Sequence, residues 1–156
     1  HGNQAFEIVQ NKTPQEERLL SCFHYQKNKT ILHTDNRCMP KNRKVWSSWN
    51  YRIAGNNDNP KPATIYWMNE LQKVSDKKNY FVSINGDETM IDPEKIIWKK
   101  EYEHPLFDVP AIQAQQQLQT LNETGPVYYC GSYFRYGFHE DALLSANELC
   151  NTILNK

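Results

Sequence analysis

The most chemically suggestive stretch of this sequence is Val127-Tyr128-Tyr129-Cys130-Gly131-Ser132-Tyr133-Phe134-Arg135-Tyr136-Gly137-Phe138-His139-Glu140-Asp141-Ala142. Its pattern predicts a short strand over residues 127–130, a glycine-punctuated turn over 131–137 and the start of a helix. A helix start presents amides that have no intrahelical acceptor, together with the positive end of the helix dipole. An electron-rich ligand placed against it is therefore stabilised. Glycine in the preceding turn lets such a ligand approach the backbone. An ordinary strand-turn-helix, with Glu140 and Asp141 favourably placed in the first turn, satisfies the same pattern.

Other chemistries fit the residue types less well. Cys130-Gly131-Ser132 lacks the GxSxG elbow that exposes a nucleophilic serine, and Cys130 sits in an apolar run that disfavours a thiolate. His33, Asp35, His104, His139, Glu140 and Asp141 follow no metal-ligand spacing, so no metal is expected. Cys22, Cys38, Cys130 and Cys150 lie far apart with no CxxC pair, which reads as free thiols in a reducing cytoplasm. The sequons at Asn11, Asn28 and Asn122 read as chance products of an Asn-rich chain.

The bulk composition narrows the partners. Eighteen Lys and Arg balance eighteen Asp and Glu, so no global field attracts nucleic acid or anionic lipid, and a small ligand is favoured. The basic run Lys41-Asn42-Arg43-Lys44 beside Trp46 accordingly reads as a solvated turn rather than a nucleic-acid patch. With 38% hydrophobic and 12% aromatic residues the chain is too apolar for disorder, and no apolar run is long enough to span a bilayer.

The elements that must position the 127–142 segment follow from periodicity and capping signals. Helical spacing is present from Gly2 to Gln10, and Thr13-Pro14-Gln15-Glu16 is a capping box that predicts a helix over residues 14–24. Strands are expected at 29–35, 46–53, 63–71, 80–84 and 96–102, with turns at 39–44 and 85–87 and a loop at 54–62. Asp108 predicts a helix start, with Ala111, Ala114, Leu118 and Leu121 on one face, and the apolar spacing of residues 143–154 predicts a last helix. The fold class is therefore α+β, a mostly antiparallel sheet flanked by helices. Trp46, Trp49, Tyr51, Tyr66 and Trp67 fall on these strands. Alternation sends a subset of them to one sheet face, where Trp49, Tyr51 and Trp67 are candidates to line an apolar substrate pocket.

Ordered blocks across nearly the whole chain resemble one family. They are Leu32-His33-Thr34-Asp35, Met39-Pro40, Trp46-Ser47-Ser48-Trp49-Asn50-Tyr51, Tyr66-Trp67-Met68-Asn69, Leu71-Gln72, Tyr80-Phe81-Val82, Glu103-His104-Pro105, Phe107-Asp108 and Tyr136-Gly137-Phe138-His139-Glu140-Asp141. Together they resemble the C-terminal portion of bacterial FAD/NAD-binding proteins related to the flavin-containing amine oxidases. His1-Gly2-Asn3-Gln4-Ala5 is similar to the stretch that follows a strand of that family's cofactor-binding region.

The resemblance implies an FAD-dependent, amine oxidase-like oxidoreductase acting on a small or apolar substrate by hydride transfer to flavin, in the cytoplasm. It implies a substrate region over residues 1–126 and a strand-turn-helix over 127–156 that completes the FAD domain. Carried over, Gly131 and Ser132 lie near the ribityl and pyrophosphate part of FAD, and Phe134 flanks the flavin. Gly137, Phe138, His139, Glu140, Asp141 and Ala142 bring backbone amides to the ring. Two departures stand out: Ala142 replaces the family's usual glycine, and no GxGxxG fingerprint occurs in these residues. The chain alone is therefore expected to hold FAD weakly and to self-associate through surfaces meant for a missing half. No lysine is assigned a catalytic role. A free-standing aromatic-rich ligand-binding module is the alternative reading.

Overall fold

A computed structural model describes residues 1–56 and 58–155; Asn57, within the expected 54–62 loop, and Lys156 lie outside the described residues. The chain divides into two compact units, one formed by residues 1–26 with 104–156 and the other by residues 27–103.

The 27–103 unit is built on a sheet in the order β2-β3-β4-β1-β5. Its strands are β1 (His24–His33), β2 (Trp49–Asn56), β3 (Asn59–Trp67), β4 (Phe81–Ile84) and β5 (Ile96–Leu106), the outer ends of β1 and β5 running into the other unit. The pairings β2–β3, β3–β4 and β4–β1 are antiparallel, in keeping with the α+β reading. Directly opposite residues in antiparallel strands share a face. One face carries the rows Asn50–Ile65–Ser83–Ile31 and Trp67–Phe81–His33. Phe81 and Ile65 on this side join Cys38 and Met39 in a core that Trp46 and Trp67 pack against. The other face carries Trp49–Tyr66–Val82–Leu32 and Tyr51–Thr64–Ile84–Thr30.

Two expectations change here. Residues 54–56 and 59–62 belong to the paired ends of β2 and β3, with register continuing to Asn56↔Asn59, rather than to a loop. The prolines that argued for a loop, Pro60 and Pro62, are on the part of β3 that β4 does not reach, because the β3–β4 ladder stops at Thr64↔Ile84. Two prolines of the same parity turn their missing N–H to the same, unpaired side. The expected 63–71 strand ends at Trp67 and becomes the short helix α3 (Met68–Gln72). Asn69 takes over the backbone there: its Nδ2 donates to the carbonyls of Ser75 (2.5 Å) and Lys78 (2.6 Å), and its Oδ1 accepts the Tyr80 N–H (2.7 Å).

The other unit contains α1 (Gly2–Ile8), α2 (Pro14–Leu20), α4 (Val109–Gln115) and α5 (His139–Leu154). The capping box of α2 forms as the sequence indicates: Thr13 Oγ1 accepts the Glu16 N–H (3.2 Å) and Glu16 accepts the Thr13 N–H (2.7 Å). That helix ends at Leu20 rather than His24, where β1 begins. Asp108 caps α4 through the Ala111 N–H at 2.9 Å, but the helix gives way to a 3-10 turn over Leu118–Asn122. The four apolar residues of the expected face, Ala111, Ala114, Leu118 and Leu121, are all buried, with Leu19, Leu20, Phe23, Tyr129, Tyr133 and Phe134.

Residues 127–130 are not a strand. Asn122, 2% exposed, accepts the Tyr129 N–H (2.7 Å) and donates to the Tyr129 carbonyl (2.8 Å), so a side chain occupies both groups a neighbouring strand would need. The segment entering the glycine turn is held from within its own unit.

Candidate functional site

The turn before α5 is organised by two buried side chains. Ser145, 3% exposed and one helical turn after Asp141, accepts the Gly131 N–H (2.8 Å) and lies 3.1 Å from the Gly131 carbonyl and 2.9 Å from that of Ala142. Asp141, 7% exposed, accepts the backbone N–H groups of Phe138 (3.0 Å) and Tyr136 (3.2 Å). Ser145 was not singled out from the sequence. Its spacing of four from Asp141 is the signal that puts both on the buried face of α5.

These bonds sort the nominated amides. Gly131 donates to Ser145, Gly137 to the Ser132 carbonyl (3.1 Å), Phe138 to Asp141 and Ala142 to the Phe138 carbonyl (3.2 Å). The amides of His139, Glu140 and Asp141 have no acceptor among the described residues, and neither do the amide and hydroxyl of Ser132. Phe138 (70% exposed) and Tyr136 (65% exposed) flank this helix start. The arrangement offers three consecutive donors, at the positive end of a 16-residue helix, to an electron-rich group.

The glycines serve the chain itself. Gly131 has φ +150° and Gly137 φ +91°. A Cβ on Gly131 meets the Tyr133 ring at 2.7 Å, and one on Gly137 meets Pro105 and Phe107 at 3.3 Å. Backbone conformation and internal packing thus require glycine at both positions without reference to a ligand. Phe134 is buried in the hydrophobic core, its ring 5.0 Å from that of Tyr133.

In the other unit the nominated aromatic residues separate by sheet face. Trp49 and Tyr51 stack on each other (6.0 Å between centroids, 9° between planes) and are about half exposed, in the same cross-strand rows as Tyr66 and Thr64. Trp67 is on the opposite face, edge-on to Trp46, with its indole N–H donated to Asn79 at 3.2 Å. The Trp49 face continues to Leu32 and Val82, which with Met68, Val74 and Tyr80 line an open apolar concavity of about 450 Å³.

The core face also carries a buried polar relay. Asp35, 1% exposed, takes the Arg37 guanidinium (2.6 and 2.9 Å) and the Asp92 N–H (2.8 Å), and these bonds hold its carboxyl well below the usual range. The Asp35 N–H is donated to His33 Nδ1 (3.2 Å), which leaves the ring proton on Nε2, bonded to Ser83 Oγ (2.8 Å). Burial lowers the His33 pKa to about 4, with Asp35 opposing the shift. Neutral His33 donates to Ser83 and so cannot deprotonate it, which makes this Ser-His pair structural.

Among the described residues no group of three or more His, Cys, Asp or Glu side chains could hold a metal ion, and no helix is long and apolar enough to cross a membrane. The four cysteines are unpaired; Cys130 and Cys150 are exposed, whereas burial pushes the Cys38 thiol up to about 12. Asn28 and Asn122 of the sequons are buried, while Asn11 is exposed. No protein-family model matches this chain, and no curated protein matches its sequence.

Proposed function

We propose that the chain forms the C-terminal portion of an FAD-dependent oxidoreductase of the flavin-containing amine oxidase type, acting on a small or apolar substrate. The observation that carries this reading is the α5 start, where His139, Glu140 and Asp141 present consecutive amides without acceptors among the described residues, inside one of the blocks whose sequence resembles that family. Orphaned donors of this kind fit an electron-rich ring or an anionic group.

When bound, FAD supplies the hydride acceptor. The amides of His139, Glu140 and Asp141 stabilise negative charge on the group they face, and being fixed by the helix they need no reorganisation to do so. Ser132, with a spare amide and hydroxyl, is the residue of the 131–132 pair able to bond the cofactor's polar linker, since the Gly131 amide is committed to Ser145. Asp141 sets the turn that aims these donors, and it is already bonded to two amides of that turn. The stacked, half-exposed Trp49 and Tyr51 rings of the 27–103 unit offer an apolar surface to a substrate.

The direct test is to purify the complete gene product that contains this chain and record its visible spectrum. A yellow protein that releases FAD on denaturation supports the reading. A colourless protein that takes up no added FAD contradicts it.

A further inference from the structure

The core-side face of the 27–103 sheet borders a second cavity, of about 530 Å³, which the flavin reading does not use. That volume suits a small organic molecule. Its wall includes the buried side chains of Ala63, Ile65 and Ile91, so much of what it offers is apolar.

Its polar lining is unbalanced toward donors. Arg52 pairs opposite Ala63 and Lys61 is two residues before Ala63, so the two cations are diagonal cross-strand neighbours on one face. Neither forms an ion pair among the described residues. Asp87 is the one carboxylate in the lining. Its Oδ1 is occupied by the Thr89 N–H (3.0 Å) and hydroxyl (2.6 Å), and these bonds, more than the two cations, account for its lowered pKa. Ser83, 2% exposed, also lines the cavity. Because its oxygen accepts the His33 Nε2 proton, its own hydroxyl proton is free to be donated.

Two adjacent cations set against a single carboxylate, and a buried hydroxyl donor beside an apolar wall, are complementary to one chemical class. We propose that this cavity binds a small monocarboxylate with an apolar body, its carboxylate held by Arg52 and Lys61 and its body against Ala63, Ile65 and Ile91. Ser83 supplies a hydrogen bond to the bound molecule. The lining residues all belong to the 27–103 unit and include none of the proposed flavin contacts, so the cavity is tested without the cofactor.

The test is a methyl-resolved NMR titration of the whole chain with octanoate, and in parallel with octanol and octylammonium. Octanoate should give saturable shifts at Ile65, Ile91 and Met90. Octanol and octylammonium should bind at least about tenfold more weakly, which corresponds to about 1.4 kcal/mol. The double variant Arg52→Gln/Lys61→Gln should lose a similar factor. If that variant does not fold, Lys61→Gln alone, at an exposed side chain, should still weaken octanoate severalfold. Shifts confined to Leu32 and Val82 would overturn the proposal, because they report the opposite sheet face. So would equal binding of octanol, unchanged affinity in the folded variants, or no saturable shift at millimolar octanoate.

Discussion

Asn122 holds Tyr129 by both of its backbone groups, accepting the N–H at 2.7 Å and donating to the carbonyl at 2.8 Å. The clamp is buried, and Tyr129 extends from it to Glu16, bonding that carboxylate at 2.6 Å. Removing the amide leaves a buried N–H and carbonyl without partners. Asn122→Ala should therefore destabilise the chain by roughly 2–3 kcal/mol, whereas Asn11→Ala, at an exposed site, should change stability by less than about 0.5 kcal/mol. Urea denaturation of the two variants checks the difference.

The same clamp shows where sequence reading stops. Residues 127–130 have strand-like composition, but whether they pair is decided by Asn122, whose reach to Tyr129 depends on how the intervening turn folds. Local signals succeeded where the determining groups are neighbours in the chain: Thr13 and Glu16 cap α2, Asp108 caps α4, and the buried face of residues 111–121 follows helical spacing. Of the candidate site, a helix following the 131–137 turn was legible, because an apolar-periodic run starts at Leu143; its first residue is His139. Which of its amides are spare was not, since that depends on the reach of Asp141 and Ser145 back into the turn. The separation of Trp49 from Trp67 likewise rests on where β2 begins and on the β2–β3 register, which no single segment encodes.

Acid should weaken the chain through His33. Its folded-state pKa is depressed from 6.5 to about 4, so the unfolded chain binds a proton more readily. Its contribution is fully present above pH 6.5 and is lost as pH falls toward 4, amounting to about 3 kcal/mol at most. Asp35, depressed below 3.8, stays ionised across this window and adds its own loss only at lower pH. Unfolding free energies from urea curves should hold nearly level above about pH 6.5 and fall toward about pH 4.5 with a slope approaching one proton, and His33→Gln should flatten it.

The two sheet faces should respond differently to truncation. Trp67→Ala removes a ring packed against Trp46 and the core and should cost about 3 kcal/mol of stability. Trp49→Ala, at a 51% exposed ring, should cost about 1 kcal/mol or less, mostly its stacking on Tyr51. If the proposed substrate surface is used, Trp49→Ala should instead raise KM for an apolar substrate. Thermal midpoints and steady-state kinetics on both variants separate packing from substrate contact.

The central claim is that backbone donors at the α5 start, rather than side chains, face the flavin. His139 is the first helical residue, and Phe138 before it has φ −87° and ψ 163°, a conformation that accepts a following proline. His139→Pro deletes one spare N–H while leaving the helix able to form, and His139→Ala removes the side chain but keeps that N–H. The decisive measurement is the flavin reduction potential, with FAD content, of the complete gene product carrying each change, after circular dichroism shows both are folded. The account predicts a lowered potential or reduced FAD content in His139→Pro and wild-type values in His139→Ala. Wild-type values in both, or a loss confined to His139→Ala, would contradict it.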